Sequence, residues 1–194
     1  MENHEKKSDE ELVKCSLRDE DCFYYLIKRY ELKILKYINR MTKVSRQQSE
    51  DILQDIFLKV YLNLNGFDQN LQFSSWIYRI ARNEIINNYY KNRVSSGMVR
   101  LGTDKDVKIL KGLISDDSHV QYASLDSARQ VRNALNKLPV KYRDVLVLRF
   151  LEEKSYNEIS DIMRMPVGTV ATLISRAKVK FKKVAKYYHL DFEV

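Results

Sequence analysis

Apolar residues recur at steps of three and four along most of this chain, and little interrupts the pattern. The run from Asp21 to Met41 contains no Gly or Pro, and the whole chain of 194 residues contains only five Gly and two Pro. This period places apolar side chains along one face of an α-helix, so the chain should form long amphipathic helices with few tight turns. The sequence therefore predicts an all-α protein.

One break in the pattern divides the chain. Between residues 95 and 124 the periodicity fades, and this segment contains three of the five glycines, at 97, 102 and 112. A loop this long is uncommon inside a compact domain. We therefore predict two small helical domains, residues 1–94 and 125–194, joined by a flexible linker over residues 95–124.

The third predicted helix carries an acidic strip. Ser49 is a favourable N-cap residue for it, and helical spacing places Asp51, Gln54 and Asp55 together on its polar side. The residues alone leave three interpretations open: a solvated surface, a metal site, or a surface that docks a basic protein. A metal is the least favoured, because no His or further carboxylate cluster accompanies the strip.

The stretch from Gly66 to Arg93 holds the only Trp and mixes aromatic side chains with bases and amides. Ser74 or Ser75 can cap a helix whose apolar stripe faces a core. The other side of that helix is basic and amide-rich, and a polar loop with an aromatic residue at each end precedes it. These groups can neutralise phosphates and stack on an unpaired base. A solvated helix with a buried Trp fits the same pattern.

The C-terminal part has the outline of a helix-turn-helix. Ser155 and Glu158 form a capping-box pattern that opens a short helix, and Pro166 stands at the start of a longer, basic final helix. A short helix, a tight turn and a longer helix are typical of a DNA-reading unit. Any helical hairpin would share this outline, and about half of the bases should serve only solvation.

Composition points to a polyanionic partner. The formal net charge is +8 and the isoelectric point is near 9.3, which favours binding to nucleic acid. Through Cys22 the acids outnumber the bases, so this N-terminal segment should face away from nucleic acid.

Cysteine and histidine give no sign of a cofactor. Cys15 and Cys22 are seven residues apart, which is about two turns of a straight helix and too far for a disulfide. We expect reduced thiols, and His4, His119 and His189 are too scattered to predict a metal site. The polar start and the lack of a long apolar run predict a cytoplasmic protein that is neither exported nor inserted in a membrane.

Two blocks of the chain resemble a known family. Residues 50–93, EDILQDIFLKVYLNLNGFDQNLQFSSWIYRIARNEIINNYYKNR, are similar to sigma domain two. Residues 138–183, LPVKYRDVLVLRFLEEKSYNEISDIMRMPVGTVATLISRAKVKFKK, are similar to sigma domain four. In this order and at this separation, the blocks resemble a bacterial sigma factor of the extracytoplasmic-function (ECF) group, the small two-domain branch of the sigma-70 family.

The resemblance implies a transcription initiation factor with no catalytic activity, no cofactor and no small-molecule substrate. Its implied partners are core RNA polymerase, promoter DNA and an anti-sigma factor. Asp51, Gln54 and Asp55 would dock the coiled coil of the largest polymerase subunit. The residues implied at the −10 element are Phe67, Phe73, Trp76, Arg79, Arg82 and Asn83. The residues implied at the −35 element are Ser155, Thr169, Thr172, Ser175, Arg176 and Lys178.

This sequence departs from the family pattern in two places. The recognition helix has Ala171, Thr172 and Leu173 where the family commonly has a base, a small residue and a second base, so two cationic contacts are missing. The turn has Arg164 where Gly is common, which costs roughly 1–2 kcal/mol if that residue is left-handed.

Two other classes of function compete with this interpretation. A helix-turn-helix regulator that acts without polymerase would leave the acidic strip and the aromatic loop without a role. A nuclease would need Glu50, Asp51 and Asp55 as metal ligands, although they lie on one helix with no partner cluster.

Overall fold

The computed structural model describes residues 4–92 and 125–187, and the α-helices within these ranges form two groups. Contacts divide the chain into two compact units that correspond mainly to its N-terminal and C-terminal parts. We call residues 4–92 the first module and residues 125–187 the second module. The described ranges contain helices and no strand, which confirms the all-α prediction. The predicted linker at 95–124 lies outside the described residues, so its boundaries stay predictions.

The helices of the first module are α1 (Asp9–Ser16), α2 (Glu20–Met41), α3 (Arg46–Leu62) and α4 (Phe73–Asn92), with short 3-10 turns at His4–Lys6 and Leu64–Gly66. Those of the second module are α5 (Leu125–Lys137), α6 (Val140–Leu146), α7 (Tyr156–Met163) and α8 (Val167–Tyr187), and a π-helical turn at Val147–Leu151 follows α6. No helix among these described residues combines the length and the apolar character needed to cross a bilayer.

The chain reverses direction between α1 and α2. Ser8 and Glu11 form a capping box at the start of α1. Helix α1 ends at Ser16, and Asp19 then caps α2 by accepting the Asp21 N–H through Oδ1 at 3.0 Å. The α1–α2 corner is therefore a sharp turn between two helices.

This corner overturns the prediction of two separate thiols. Cys15 and Cys22 lie on different helices, their Cα atoms are 5.7 Å apart, and a disulfide joins them. The sequence argument was wrong because it assumed one straight helix through both residues.

Helix α2 is the centre of the first module and packs against α1, α3 and α4. Its buried stripe runs from Phe23 through Leu26, Tyr30 and Ile34 to Ile38. One face of α3 is buried as predicted, with Ile52, Leu53, Ile56, Phe57 and Val60. The buried residues of both helices recur at steps of three and four, as expected for one face of an α-helix.

The start of α3 differs from the prediction. Ser45, not Ser49, is the N-cap, and its hydroxyl accepts the Gln48 N–H at 3.2 Å while Gln48 Oε1 accepts the Ser45 N–H at 3.0 Å. Ser49 lies one turn into the helix, is buried, and donates to Ser45 O and Asn39 Oδ1. The helix starts at the Ser45–Gln48 capping box and not at Ser49, because this box satisfies two backbone groups at once.

The second module is built around α8. Val131, Ala134, Leu135 and Leu138 are buried, and α5 and α6 both pack against α8. The apolar face of α8 consists of Val170, Ile174, Ala177, Phe181 and Ala185. Phe150, an apolar residue of the turn after α6, is only partly covered.

A pair of substitutions on α3 tests this assignment of faces. Ile56 is fully buried, whereas Leu58, two residues along the helix, is 56% exposed. We expect Ile56→Ala to lower the free energy of unfolding by about 2–5 kcal/mol because it leaves a cavity. Leu58→Ala should change it by less than about 0.5 kcal/mol.

The single Trp of the chain, Trp76, lies in the first module, so urea unfolding followed by its fluorescence reports on this module. Equal destabilisation by the two substitutions would contradict the assignment.

Candidate functional site

Helix α3 exposes its acidic residues to solvent. Asp51, Gln54 and Asp55 are all exposed, on the side of the helix opposite Ile52 and Ile56. The geometry therefore brings the three predicted docking residues together on one free surface of the first module.

The acidic surface continues into apolar side chains that the sequence analysis missed. Leu58 is 56% exposed and Leu62 is 67% exposed, and their spacing from Asp51 and Asp55 places them on the same side of α3. We call Asp51, Gln54, Asp55, Leu58 and Leu62 the α3 strip. An interface that combines exposed large apolar groups with charges is typical of protein–protein contact.

The aromatic loop is not an open pocket. Phe73 is fully buried, and Phe67 and Trp76 are each only 7% exposed. Their ring centroids are 5.2–5.7 Å apart, and Phe73 also packs on Tyr30 at 5.4 Å. None of the three rings is open to solvent in this structure, and the role implied for Phe67, Phe73 and Trp76 at the −10 element stays a prediction. They are core residues that hold the loop.

Two acidic side chains of α1 fix this aromatic cluster from the other side. The carboxylate of Asp9 accepts hydrogen bonds from the Tyr30 hydroxyl and from Arg29, and Glu10 Oε1 accepts the Phe73 N–H at 3.4 Å. Burial, together with the hydrogen bond to Asp9, raises the pKa of Tyr30 well above its usual value. Part of the acidic N-terminal segment thus serves the interior of the first module.

The exposed tip of the same loop consists of polar side chains, three of them amides. Asp68, Gln69, Asn70 and Gln72 are exposed, and Asp68 Oδ1 accepts both the backbone N–H and the side-chain amide of Asn70 at 2.9 and 3.0 Å. Amide side chains can hydrogen-bond base edges. The polar composition of this tip is a signal for base contacts that can be read from the sequence.

Helix α4 presents the predicted polar side chains along one side. Asn83 is exposed, and Arg79 and Arg82 are half-buried and each interacts with other groups of the protein. Asn88, four residues beyond Glu84, donates to the Glu84 carboxylate at 2.9 Å and is structural. The α4 face therefore consists of Arg79, Arg82 and Asn83.

The turn of the helix-turn-helix has the conformation that the sequence raised as a possibility. Arg164 has φ 52° and ψ 53°, which is left-handed, and its N–H donates to Ser160 O. The Ser160 hydroxyl donates to Met165 O at 2.6 Å, and the Met165 N–H returns to Ser160 O at 3.1 Å. These bonds satisfy the end of α7 and offset the conformational cost of Arg164.

Ser155 holds the start of α7. Its hydroxyl accepts the Glu158 N–H at 3.2 Å, and its own N–H donates to Glu158 Oε2 at 2.8 Å. Burial alone would raise the pKa of Glu158, but the hydrogen bonds from Ser155 and the ammonium group of Lys154 outweigh burial and lower it. At pH values above the ordinary pKa of Glu158, its charged carboxylate therefore stabilises the capping box. This stabilisation is lost as pH falls through the lowered pKa.

The first turns of α8 expose small and hydroxyl-bearing residues. Gly168, Thr169, Ala171, Thr172, Ser175 and Arg176 are all exposed, opposite Val170 and Ile174. The Thr172 hydroxyl donates to Gly168 O at 3.0 Å. A Cβ atom built on Gly168 would meet no atom of the protein within 4 Å. A ligand can approach this backbone closely.

Lys178 is partly committed to an intramolecular contact. Its ammonium group lies 5.3 Å from the centre of the Phe150 ring, so Lys178 is farther from the open face than Arg176. Arg149, which the sequence analysis did not single out, lies over Tyr156 at 5.3 Å and donates to Lys154 O at 2.9 Å.

A cluster at the α1–α2 corner also escaped the sequence analysis. His4, Cys15 and Cys22 place their potential ligand atoms within 4.8 Å of one another. Sequence spacing did not indicate this cluster, because the turn between α1 and α2 brings His4 and Cys15 next to Cys22. His119 and His189 lie outside the described residues.

Two family models match the chain. The model of Sigma-70 region 2 matches residues 26–94, which hold α3, the aromatic loop and α4. The model of Sigma-70, region 4 matches residues 128–181, which hold the helix-turn-helix. Together they cover more than half of the chain.

Solved structures share the fold. CnrH, solved in complex with the cytosolic domain of CnrY, aligns with a TM-score of 0.68 and 22% identity over 93% of this chain and 99% of that chain. The sigma factor RpoE, solved in complex with the anti-sigma factor NepR from Bartonella quintana, aligns with a TM-score of 0.58 and 21% identity over 82% of this chain and 96% of that chain.

Relatives with higher identity cover most of the chain. The ECF RNA polymerase sigma factor SigW of Bacillus subtilis (strain 168) is 34% identical over 172 residues, 85% of this chain and 89% of the relative. The ECF RNA polymerase sigma-E factor of Escherichia coli (strain K12) is 32% identical over 182 residues, 90% of this chain and 92% of the relative. With both sigma-70 regions present in order, this chain belongs to the extracytoplasmic-function group of the sigma-70 family.

Proposed function

We propose that this protein binds core RNA polymerase and directs it to promoters by recognising a −10 and a −35 element. Family membership makes it a transcription initiation factor and not an enzyme. The observation that carries the finer proposal is the α3 strip, because a regulator that binds only duplex DNA needs no such surface.

The α3 strip has the composition of a docking surface for a basic partner. Its carboxylates can pair with cationic side chains across an interface and steer association. Leu58 and Leu62 supply apolar area that is lost from water on binding, worth roughly 25 cal/mol per Å² of area buried. The partner is the coiled coil of the largest polymerase subunit.

At the −10 element, the α4 face and the amide tip of the loop contact the DNA. Asn83 hydrogen-bonds a base, and Arg79 and Arg82 hold the backbone of the same strand. Unstacking a base costs a few kcal/mol, and hydrogen bonds to its freed edge help to offset this cost. The buried aromatic residues position the loop and the start of α4.

At the −35 element, α8 enters the major groove with its first turns. Thr169, Thr172 and Ser175 face base edges, Arg176 and Lys178 meet phosphates, and Ser155 brings the start of α7 to the backbone. This division replaces the two cationic contacts that Ala171 and Leu173 do not provide.

The protein acts in the cytoplasm and is held inactive by an anti-sigma factor. RpoE was solved in complex with the anti-sigma factor NepR, and CnrH was solved in complex with the cytosolic domain of CnrY. Exposed Leu58, Tyr61 and Leu62 offer an apolar surface that a protein partner would cover. Co-purification from the native cell under uninduced conditions tests this, and recovery of the chain only with polymerase would count against it.

Start-site mapping tests the proposed function as a whole. Core polymerase with the purified protein should start transcription on fragmented genomic DNA at a small set of sites that share two spaced elements. Transcripts that do not depend on the protein, together with no co-sedimentation with core, would favour the polymerase-independent regulator.

Charge reversal on α3 should abolish docking. Asp51→Lys combined with Asp55→Lys removes the pairing groups and adds repulsion, so we expect the affinity for core polymerase to fall at least about a hundredfold, or about 2.8 kcal/mol. Both residues are exposed, so the fold should be kept. The readout is a binding titration with fluorescently labelled protein.

The matched control for charge is Asp21→Lys combined with Glu31→Lys, which makes the same charge change at exposed positions of α2. It should bind core nearly as the wild type does. Equal losses in the two double variants would show that only net charge matters.

Asn83→Ala should weaken binding to the single-stranded non-template −10 sequence by about tenfold in the polymerase complex, because one base contact is worth ~1–3 kcal/mol. Duplex −35 binding should not change. The exposed Gln47→Ala on α3 serves as the control. Anisotropy with a labelled oligonucleotide measures the effect, and an unchanged affinity would remove Asn83 from the interface.

Gly168→Ala should separate stability from DNA binding. The new methyl group has open space in the protein and Ala is the better helix former, so stability should rise by up to about 1 kcal/mol. The methyl group would obstruct close approach of α8 to DNA, and we expect about tenfold weaker binding to −35 duplex.

Gly66→Ala, also in open space but in the first module, is the control for this substitution. Wild-type −35 affinity in Gly168→Ala would show that the first turn of α8 does not lie against DNA.

A further inference from the structure

The α1–α2 corner gathers three potential metal ligands, His4, Cys15 and Cys22, and the carboxylate of Asp19 lies next to Cys22. His4 Nδ1 lies 3.5 Å from Cys22 Sγ, and the Cα atoms of Cys15 and Cys22 are 5.7 Å apart. The second carboxylate oxygen of Asp19, Oδ2, is 3.9 Å from Cys22 Sγ. The α3 strip and the two DNA surfaces involve none of these side chains.

The distance between His4 and Cys22 fits one edge of a tetrahedral zinc site, whereas the two sulfur atoms are bonded to each other and must separate on reduction before both can bind the metal. Zn–S and Zn–N bonds of about 2.3 and 2.1 Å give a sulfur-to-nitrogen edge of about 3.6 Å in a tetrahedron. The observed 3.5 Å between His4 Nδ1 and Cys22 Sγ corresponds to that edge. Two thiolates, an imidazole and a carboxylate also form a donor set that is selective for zinc, because magnesium and calcium favour oxygen ligands.

Neighbouring groups orient and balance the cluster. Asp19 Oδ1 accepts the Asp21 N–H, which leaves Oδ2 next to Cys22 Sγ. Lys7 Nζ lies 4.0 Å from Cys15 Sγ, where its positive charge favours a thiolate. Hydrogen bonds of this kind to the ligands raise the affinity of a metal site.

We propose that, in the reduced protein, His4, Cys15 and Cys22 bind one Zn²⁺ ion, with Asp19 as the fourth ligand. The cytoplasm keeps most thiols reduced, so the dithiol is the form that meets zinc there. The zinc-bound state and the disulfide state are alternatives, because each uses both sulfur atoms.

Reduction of the disulfide followed by zinc binding converts one state into the other. A dithiol reductant gives two electrons and two protons to the Cys15–Cys22 disulfide and becomes a disulfide itself. The two protein thiols then each release a proton as their sulfur atoms bind Zn²⁺. His4 binds through Nδ1 in its neutral form.

Zinc at this corner would tie the first 3-10 turn to α2 beside the groups that position the −10 loop. Asp9 and Glu10, which hold Tyr30 and the Phe73 N–H, lie on α1 between His4 and Cys15. The metal therefore stabilises the reduced first module in the same place where the disulfide joins α1 to α2.

The test is zinc binding by the untagged full chain, reduced with a phosphine and titrated against a chromogenic chelator. We expect one zinc ion per chain. Cys15→Ser combined with Cys22→Ser should abolish binding, and His4→Ala should weaken it at least about tenfold. Cobalt in place of zinc should give the visible absorption of a tetrahedral thiolate site.

Two controls keep the result independent of folding. The disulfide form of the wild type has the same sequence and should bind no zinc, and His189→Ala should bind as the wild type does. His4 lies in a short turn before α1, so its replacement leaves the helices in place, which far-UV circular dichroism checks. Less than stoichiometric zinc on the reduced wild type, or unchanged affinity in either the His4 or the double Cys variant, would overturn the site.

Discussion

A buried carboxylate links α3 and α4, the two helices of the first module that carry the proposed binding surfaces. Glu84 on α4 is 6% exposed and forms an ion pair with Lys59 on α3, and its other oxygen accepts the Asn88 amide at 2.9 Å. A buried charge is costly unless it is paired and hydrogen-bonded, so this contact favours one arrangement of α3 and α4. The α3 strip and the α4 face consequently keep a fixed relation. A protein that docks through one helix then presents the other helix at a defined position.

The aromatic residues before α4 contribute rigidity. Phe67, Phe73 and Trp76 pack on one another and on Tyr30, while Asp9 and Glu10 satisfy the polar groups at the edge of this cluster. The polar tip of the loop and Asn83 remain open to a ligand. In this arrangement the apolar groups determine where the loop lies, and the amides provide the hydrogen bonds.

Much of this could be predicted from the sequence, since helical periodicity depends only on local spacing. The buried faces of α2, α3 and α8, the capping boxes at Ser8 and Ser155, and the left-handed Arg164 all follow from short patterns. The predictions that failed depended on which of two possible N-caps forms, or on which residues the fold brings close together. Ser45 rather than Ser49 caps α3 because Gln48 completes its capping box. Asp19 caps α2, so a new helix begins there and Cys15 and Cys22 do not lie on one helix. Aromatic residues suit a core and a base-binding pocket equally well, so sequence alone could not assign Phe67 and Phe73.

Site-specific photo-crosslinking within one initiation complex tests the central claim, which is that neighbouring helices of a single module hold polymerase and promoter at the same time. A photoreactive amino acid is placed at either position 55 or position 83, and the crosslinked species are identified after assembly on a promoter. The account predicts that position 55 labels the largest polymerase subunit and no DNA, whereas position 83 labels the non-template strand at the −10 element. Labelling of DNA from position 55, or of polymerase alone from position 83, would contradict it.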